Sequence, residues 1–270
     1  MKHPLADIRA FLMDMDGTVY LGRRLLPGAK GFFRLLGRRG IPYLFFTNNS
    51  SADRHLYRDK LAAMGLEVPP ERIITSGEAT ALYLTSRTAH RRVYVLGTPS
   101  LEGELRDAGL TLADQRVDAV VLGFDKTLTY EKLERAAHLL RGGAAFIATH
   151  PDKVCPTEAG PIPDCGSMIA LLRTATGVRP TVIGKPNRTM VDMALRKLGG
   201  HVPRSRVAIV GDRLYTDMAM GRRARLATIL VLSGETTRAD LATARHRPDH
   251  VFPSIRELAR EMRRGGSRNA

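Results

Sequence analysis

Along the chain, short runs of apolar, β-branched and aromatic residues alternate with longer segments whose apolar positions recur at helical spacing. The clearest short runs are Phe11 to Met13, Tyr43 to Phe46, "TVI" at 181 to 183 and "VAIV" at 207 to 210. This alternation predicts an α/β fold with a Rossmann-like, doubly wound parallel sheet. Each run gives way abruptly to a polar residue, namely Asp14, Thr47, Lys185 or Asp212. Open α/β sheets bind ligands outside the carboxyl ends of their strands, so these four tips are expected to converge on one crevice.

The segments between the runs read as helices. After "TNNSS", Tyr57, Leu61 and Met64 form an apolar stripe, with Ser50 or Ser51 as the expected cap and Gly65 as the stop. After "GKPN", Val191, Ala194, Leu195 and Leu198 form a second stripe, capped by Asn187 and stopped by Gly199. Helix N-termini at the crevice would offer free N–H groups to an anion.

Between "ITSGEAT" and "RPTVIGKPN" about a hundred residues carry an alternation of their own, ending in a helix from about Ser167 to Ala175. The expected organisation is a core from residues 1–78, an inserted α/β cap domain from 79–181, and the rest of the core from 182–270.

Composition narrows the function. Two cysteines, Cys155 and Cys165, are too few for a disulfide framework and lack zinc-site spacing. No apolar run is long enough for a membrane span, and "MKHPLADIRAFLMDMDG" is broken by Asp and Arg where a signal peptide would be apolar. A cytoplasmic protein with no membrane partner is expected. The net charge of +15 suits a nucleic acid or an anionic small substrate, but it is spread over predicted helix faces, as in "RHLYRDK", "ALRKLGG" and "GRRARL". The last cluster, "REMRRGGSRNA", reads as a frayed tail. No DNA or RNA recognition motif is present, so an anionic small molecule is expected ahead of nucleic acid; the motifs below make it a small phosphorylated metabolite.

The candidate chemistry starts from "DMDGT". Asp14 and Asp16, together with Asp212 and with Asp217 in "GDRLYTD", would repel one another unless a cation neutralised them. Oxygen ligands with few carboxylates, waters and phosphate favour Mg²⁺. Lys185, the Thr47 hydroxyl and the helix N-termini would complete a phosphate site. One carboxylate held against the metal can attack phosphorus, and a second can move the proton. Two residues apart on an extended segment, Asp14 and Asp16 would project the same way, with Gly17 permitting a tight turn after them. A calcium loop starting at Asp14 is excluded by Val19 and Leu25, which stand where Gly and Glu are needed. A P-loop at "IGKPN" is excluded by Arg179 and Pro186.

In that order "DMDGT", "FFTNNSS", "GKPN" and "GDRLYTD" resemble the four signature segments of the haloacid dehalogenase superfamily of phosphohydrolases. The insertion resembles that of the class IIA-capped subgroup, which includes p-nitrophenyl, nucleotide, phosphoglycolate and pyridoxal phosphate phosphatases. The resemblance implies Asp14 as nucleophile and Mg²⁺ ligand, and Asp16 as general acid and base lending its backbone carbonyl to the metal. It implies Thr47 and Asn48 as phosphoryl binders, Lys185 as the residue steadying Asp14 and the phosphate, Asp212 as a metal ligand and Asp217 as the residue orienting the metal's waters. The implied activity is Mg²⁺-dependent hydrolysis of small phosphate monoesters through a phospho-aspartate. Relatives with this cap often associate, so a homo-oligomer is compatible with it.

The cap departs from the pattern. His150 in "ATHPD" stands where relatives often have Asn, and "IPDCGS" puts Asp164 and Cys165 near the expected substrate. His150 and Asp164 are therefore candidate substrate-binding residues, with helix capping or a surface position as the ordinary reading of His150 and capping as that of Asp164. Cys165 is expected to be a packed core residue and Asp125 a loop and N-cap residue. Two alternatives stay open: a phosphotransferase or mutase on the same core, and a basic nucleic-acid or phospholigand-binding protein without turnover.

Overall fold

A computed structural model describes residues 3–155, 157 and 159–266. The chain forms two compact units. The first comprises Met1–Phe46, Arg58–Ile73 and Ala194–Ala270, and the second Thr47–Tyr57 and Ile74–Met193.

The first unit is built on a six-stranded sheet ordered His250–Phe252, Ala227–Val231, Val207–Gly211, Ala10–Met13, Tyr43–Thr47, Ile73–Thr75, the last strand carrying the chain into the second unit. Ala10–Met13 pairs in parallel with Val207–Gly211 on one side and with Tyr43–Thr47 on the other, with Met13 opposite Val210 and Phe45. All four residues of the first strand and all five of Val207–Gly211 are buried, which is why they read as continuous apolar runs and not as alternating ones. From Ala10–Met13 the chain goes first to one side of the sheet and later to the other. That reversal makes the carboxyl ends of Ala10–Met13 and Val207–Gly211 the switch point at which such sheets take ligands.

Helices Ala29–Arg38 and Ile255–Gly266 pack together beside this sheet. Phe32, fully buried, meets Phe11 edge-on at 5.6 Å and Phe33 at 5.4 Å, while Phe33 reaches Phe45 at 5.0 Å. Arg39 donates to the Met262 carbonyl at 2.9 Å. The supposed frayed tail is therefore helical as far as Gly266, and the rest of it lies outside the described residues.

The second unit holds a five-stranded sheet ordered Thr181–Val182, Ala145–Ala148, Ala119–Leu122, Arg92–Leu96, Thr111–Leu112, also parallel. Leu96, Val120, Leu122, Phe124, Phe146 and Leu172 share its core with helices Tyr130–Arg141 and Cys165–Thr176. Two sheets wound by helices agree with the expected fold class. One strand changes place, because "TVI" pairs with Ala145–Ala148, so Lys185 follows a strand of this second sheet and not of the sheet that ends in Asp14 and Asp212.

The two glycine stops hold, and the serine cap does not. Gly65 and Gly199 stop their helices in the left-handed region, at φ 78° and 85°. The helix Arg54–Ala63 is capped by Asp53, which accepts from the amides of His55 and Leu56, and not by a serine. Ser51 instead donates twice to the Asn49 side chain, and Ser50 bonds Thr149 and the Phe124 amide. No helix among the described residues is long and apolar enough to cross a membrane.

The ring cluster gives the first test. Phe32→Ala should lower unfolding free energy by about 3–5 kcal/mol, read as a shifted urea midpoint with unchanged slope.

Candidate functional site

The first strand ends at Met13, and the next residue is Asp14, whose amide donates to the Val210 carbonyl at 2.8 Å. Asp212 follows the neighbouring strand, and Asp217 sits on the helical turn Leu214–Met218. Carboxylate oxygens from Asp14, Asp212 and Asp217 all lie within 4.8 Å of one another. All three are buried, Asp217 completely. Asp212 Oδ2 accepts from the Glu235 amide at 2.7 Å, and Asp217 Oδ2 from the Arg213 amide at 3.4 Å.

Glycines make this crowding sterically feasible. Gly17 has φ 77°, and a Cβ on it would stand 2.5 Å from Asp212 Oδ2. A Cβ on Gly234 would collide with the same oxygen, and one on Gly211 with the Asp217 carboxylate. The Gly17 carbonyl is held by the Ser233 hydroxyl at 2.7 Å.

Like charges at about 4 Å repel by roughly 4 kcal/mol per pair at an effective dielectric of ~20. Arg213 answers part of this. Burial alone would lower its pKa, but Glu235 at 2.9 Å, with Tyr215, Asp14 and Asp212, raises it overall. Three carboxylates in so small a space suit a hard divalent cation, for which they offer oxygen donors only.

Asp16 lies outside that trio and is exposed. Its carboxyl pKa is raised, chiefly by desolvation against the surrounding protein, while Lys60, Arg213 and the Gly17 amide act to lower it. The Lys60 ammonium in turn lies 4.1 Å from the centre of the Tyr20 ring.

In the second unit Thr47 ends its strand and accepts from the Asn49 amide at 3.2 Å. Asn48 and Lys185 are locked together: the Asn48 side chain accepts from the Lys185 amide at 2.7 Å and donates to the Lys185 carbonyl at 3.0 Å. Its amide also donates to Asp152 Oδ2 at 2.9 Å, and Ser76 donates to the Asn48 carbonyl. Gly184 is again without room for a side chain, since a Cβ would sit 2.5 Å from the Thr149 carbonyl.

His150 is fully buried, contrary to the surface reading. Its Nε2 faces Asp164 Oδ1 at 2.9 Å and its Nδ1 faces Thr149 Oγ1 at 2.9 Å. Asp164 is the N-cap of Cys165–Thr176, accepting from the Cys165 amide at 2.6 Å. His150, Asp152 and Asp164 form a second set of closely placed ligand atoms, but each already has hydrogen-bond partners in the protein. Burial pushes the Cys165 thiol up to about 12, so it behaves as a packed residue. Asp125 is a loop residue that accepts twice from Thr127 and pairs with Lys132 at 2.9 Å, while Thr129 caps the following helix.

Sequence reasoning passed over Arg213, Lys60 and Asp152. The first stands beside Asp212 in "GDR" and the third ends "ATHPD", so their neighbours carried a signal; Lys60 looked like any lysine on a solvated helix.

Comparison with known proteins agrees with the four segments. Residues 11–111 match the haloacid dehalogenase-like hydrolase family and residues 182–258 the related HAD-hydrolase-like family. The chain is 38% identical over 255 residues to an acid sugar phosphatase of Staphylococcus aureus, covering 94% of this chain and 98% of that one. It is 37% identical over 249 residues to the 5'-nucleotidase YutF of Bacillus subtilis, covering 92% and 96%. A 4-nitrophenylphosphatase from Thermotoga maritima superposes with a TM-score of 0.91 at 47% identity, covering 95% of this chain and 98% of that one.

Two substitutions probe this geometry. Gly17→Ala should cost about 1–3 kcal/mol of stability and weaken divalent-cation binding, measured by thermal melts with and without the ion. His150→Gln should cost about 1–3 kcal/mol through the buried partners it leaves unsatisfied, seen in the same melts.

Proposed function

Because the chain belongs to the haloacid dehalogenase-like hydrolase family and is a phosphoric monoester hydrolase, we propose that it hydrolyses small phosphate monoesters in the cytoplasm through a phosphorylated Asp14, with Mg²⁺ as its metal. The observation that carries this reading is the buried trio of Asp14, Asp212 and Asp217. On this reading Asp14 and Asp212 hold the ion, with the Asp16 backbone carbonyl and Asp217 completing its surroundings. When bound, the ion screens the carboxylates and neutralises charge on the phosphoryl oxygens.

The residues then divide the work. An Asp14 oxygen forms a bond to phosphorus as the ester P–O bond breaks, and the leaving oxygen takes a proton from Asp16. Asp16, now a carboxylate, takes a proton from water as the water oxygen attacks phosphorus. The bond between phosphorus and the Asp14 oxygen breaks, releasing phosphate and regenerating the Asp14 carboxylate. The raised pKa of Asp16 supports this role, since a group that must arrive protonated is helped by desolvation. Thr47, Asn48 and Lys185 bind the phosphoryl group, and the Asn48–Lys185 interlock supports their acting as one rigid piece. We assign His150 and Asp164 to positioning, since one is fully buried and the other caps a helix.

The inserted segment 79–181 is proposed to choose the substrate. Relatives named for sugar phosphates, nucleotides and nitrophenyl phosphate support a panel led by sugar and nucleotide monoesters, with glycolate and pyridoxal phosphates after them. A phosphotransferase would use the same groups and is separated by product analysis.

The test is phosphate release from that panel with Mg²⁺ and with excess chelator. Stoichiometric, Mg²⁺-dependent release is expected; transfer to an acceptor without free phosphate would contradict hydrolysis. Asp14→Asn should lower kcat by at least ~10³-fold without unfolding the protein. Asp16→Asn should cost about 10²–10⁴-fold on alkyl phosphates and less on p-nitrophenyl phosphate, whose leaving group needs no proton.

A further inference from the structure

A cleft of about 650 Å³ opens in the first unit, away from the roles assigned so far. Its lining includes Arg222, Arg225, Arg245 and Arg247, with His246 between the last two. Arg222 lies in the helix Ala219–Ala224, and Arg225 follows it in the left-handed region at φ 59°. Arg245 to Arg247 come from the segment before the strand His250–Phe252. All four arginines are exposed, and among the described residues none of them forms an ion pair. The lining also holds one acid, Asp249, whose Oδ2 accepts from the amide and hydroxyl of Thr228 beside it, both at 2.9 Å. The floor is apolar, formed in part by buried Met218 and Leu226. His246 has its pKa lowered, first by desolvation and then by Arg222 and Arg245, which line the same cleft.

We propose that this cleft binds a small polyanion carrying two or more phosphate groups, as a site separate from the acid cluster. Four arginines against the single carboxylate of Asp249 give the cleft an excess of positive charge, which an anion among them offsets. Each guanidinium presents a fork of N–H donors matched to phosphate oxygens. The volume lies within the range of small-molecule sites, about 300–1,000 Å³. Among the described residues no Phe, Tyr or Trp lines the cleft, so they supply no such stacking platform as proteins use to hold single-stranded nucleic acid. Leu214 and Met218, which also line it, come from the same turn as Asp217.

Calorimetric titration of tripolyphosphate into the full-length protein, in low salt with excess chelator, tests the proposal, because without a divalent cation the acid cluster repels the probe. Saturable binding of one equivalent is expected. The double variant Arg222→Gln, Arg245→Gln should bind at least ~10-fold more weakly, with its melting temperature and its kcat and KM for p-nitrophenyl phosphate unchanged. Restoring charge with Arg222→Lys, Arg245→Lys should recover part of the affinity. The proposal is overturned if the wild-type protein shows no saturable binding, or if the glutamine variant binds as the wild type does. It is also overturned if a single-stranded RNA oligonucleotide binds the same arginines more tightly than tripolyphosphate, which would make the cleft a nucleic-acid surface.

Discussion

Three carboxylates confined within 4.8 Å of one another set the terms for the rest of the first unit. Their mutual repulsion opposes folding, and burial removes the water that would screen it. The fold accommodates it through features that make sense only together. The register places Met13 opposite Val210, so Asp14 and Asp212 leave adjacent strands close together. Gly17, Gly211 and Gly234 lack the Cβ atoms that would strike the carboxylates. Arg213 contributes one positive charge, itself partly claimed by Glu235. The negative charge gathered there is what a divalent cation would neutralise.

The second unit solves the opposite problem, that of burying polar groups without leaving them unpaired. Asn48 uses its carbonyl oxygen on Lys185 and its amide on Lys185 and Asp152. Thr149 joins Ser50 to His150, and His150 joins Thr149 to Asp164. The bonds from Asn48 to Asp152 and Lys185 and from Ser50 to Thr149 join residues far apart in sequence, so they fasten loops to one another. Such a network fixes where Asn48 and Lys185 lie, whatever ligand they meet.

Much of this was legible in the chain. Buried parallel strands announce themselves as unbroken apolar runs, and an aspartate at the end of such a run stands out, so Asp14 and Asp212 could be placed before any coordinates. Asp217 followed from the same segment. Sheet membership was not legible: "TVI" is as apolar as the other runs, and only pairing with Ala145–Ala148 assigns it to the second sheet. Nor was the cap of Arg54–Ala63, because Ser50 and Ser51 are good capping residues that tertiary and Asx-turn bonds claim first, leaving Asp53. The burial of His150 depends on Asp164, a partner that no periodicity points to. The arginines at 222, 225, 245 and 247 looked like solvated charge, and only the fold brings them around one cleft.

The central claim is that the phosphoryl group passes through the Asp14 carboxylate before it reaches water. Hydrolysis, in water of ordinary oxygen, of a phosphorothioate monoester made chiral at phosphorus by sulfur and two heavy oxygen isotopes measures this directly, because each in-line displacement inverts phosphorus. Two displacements, the first by Asp14 and the second by water, predict net retention of configuration in the released thiophosphate. Net inversion would mean that water attacks the substrate itself, and would contradict the account.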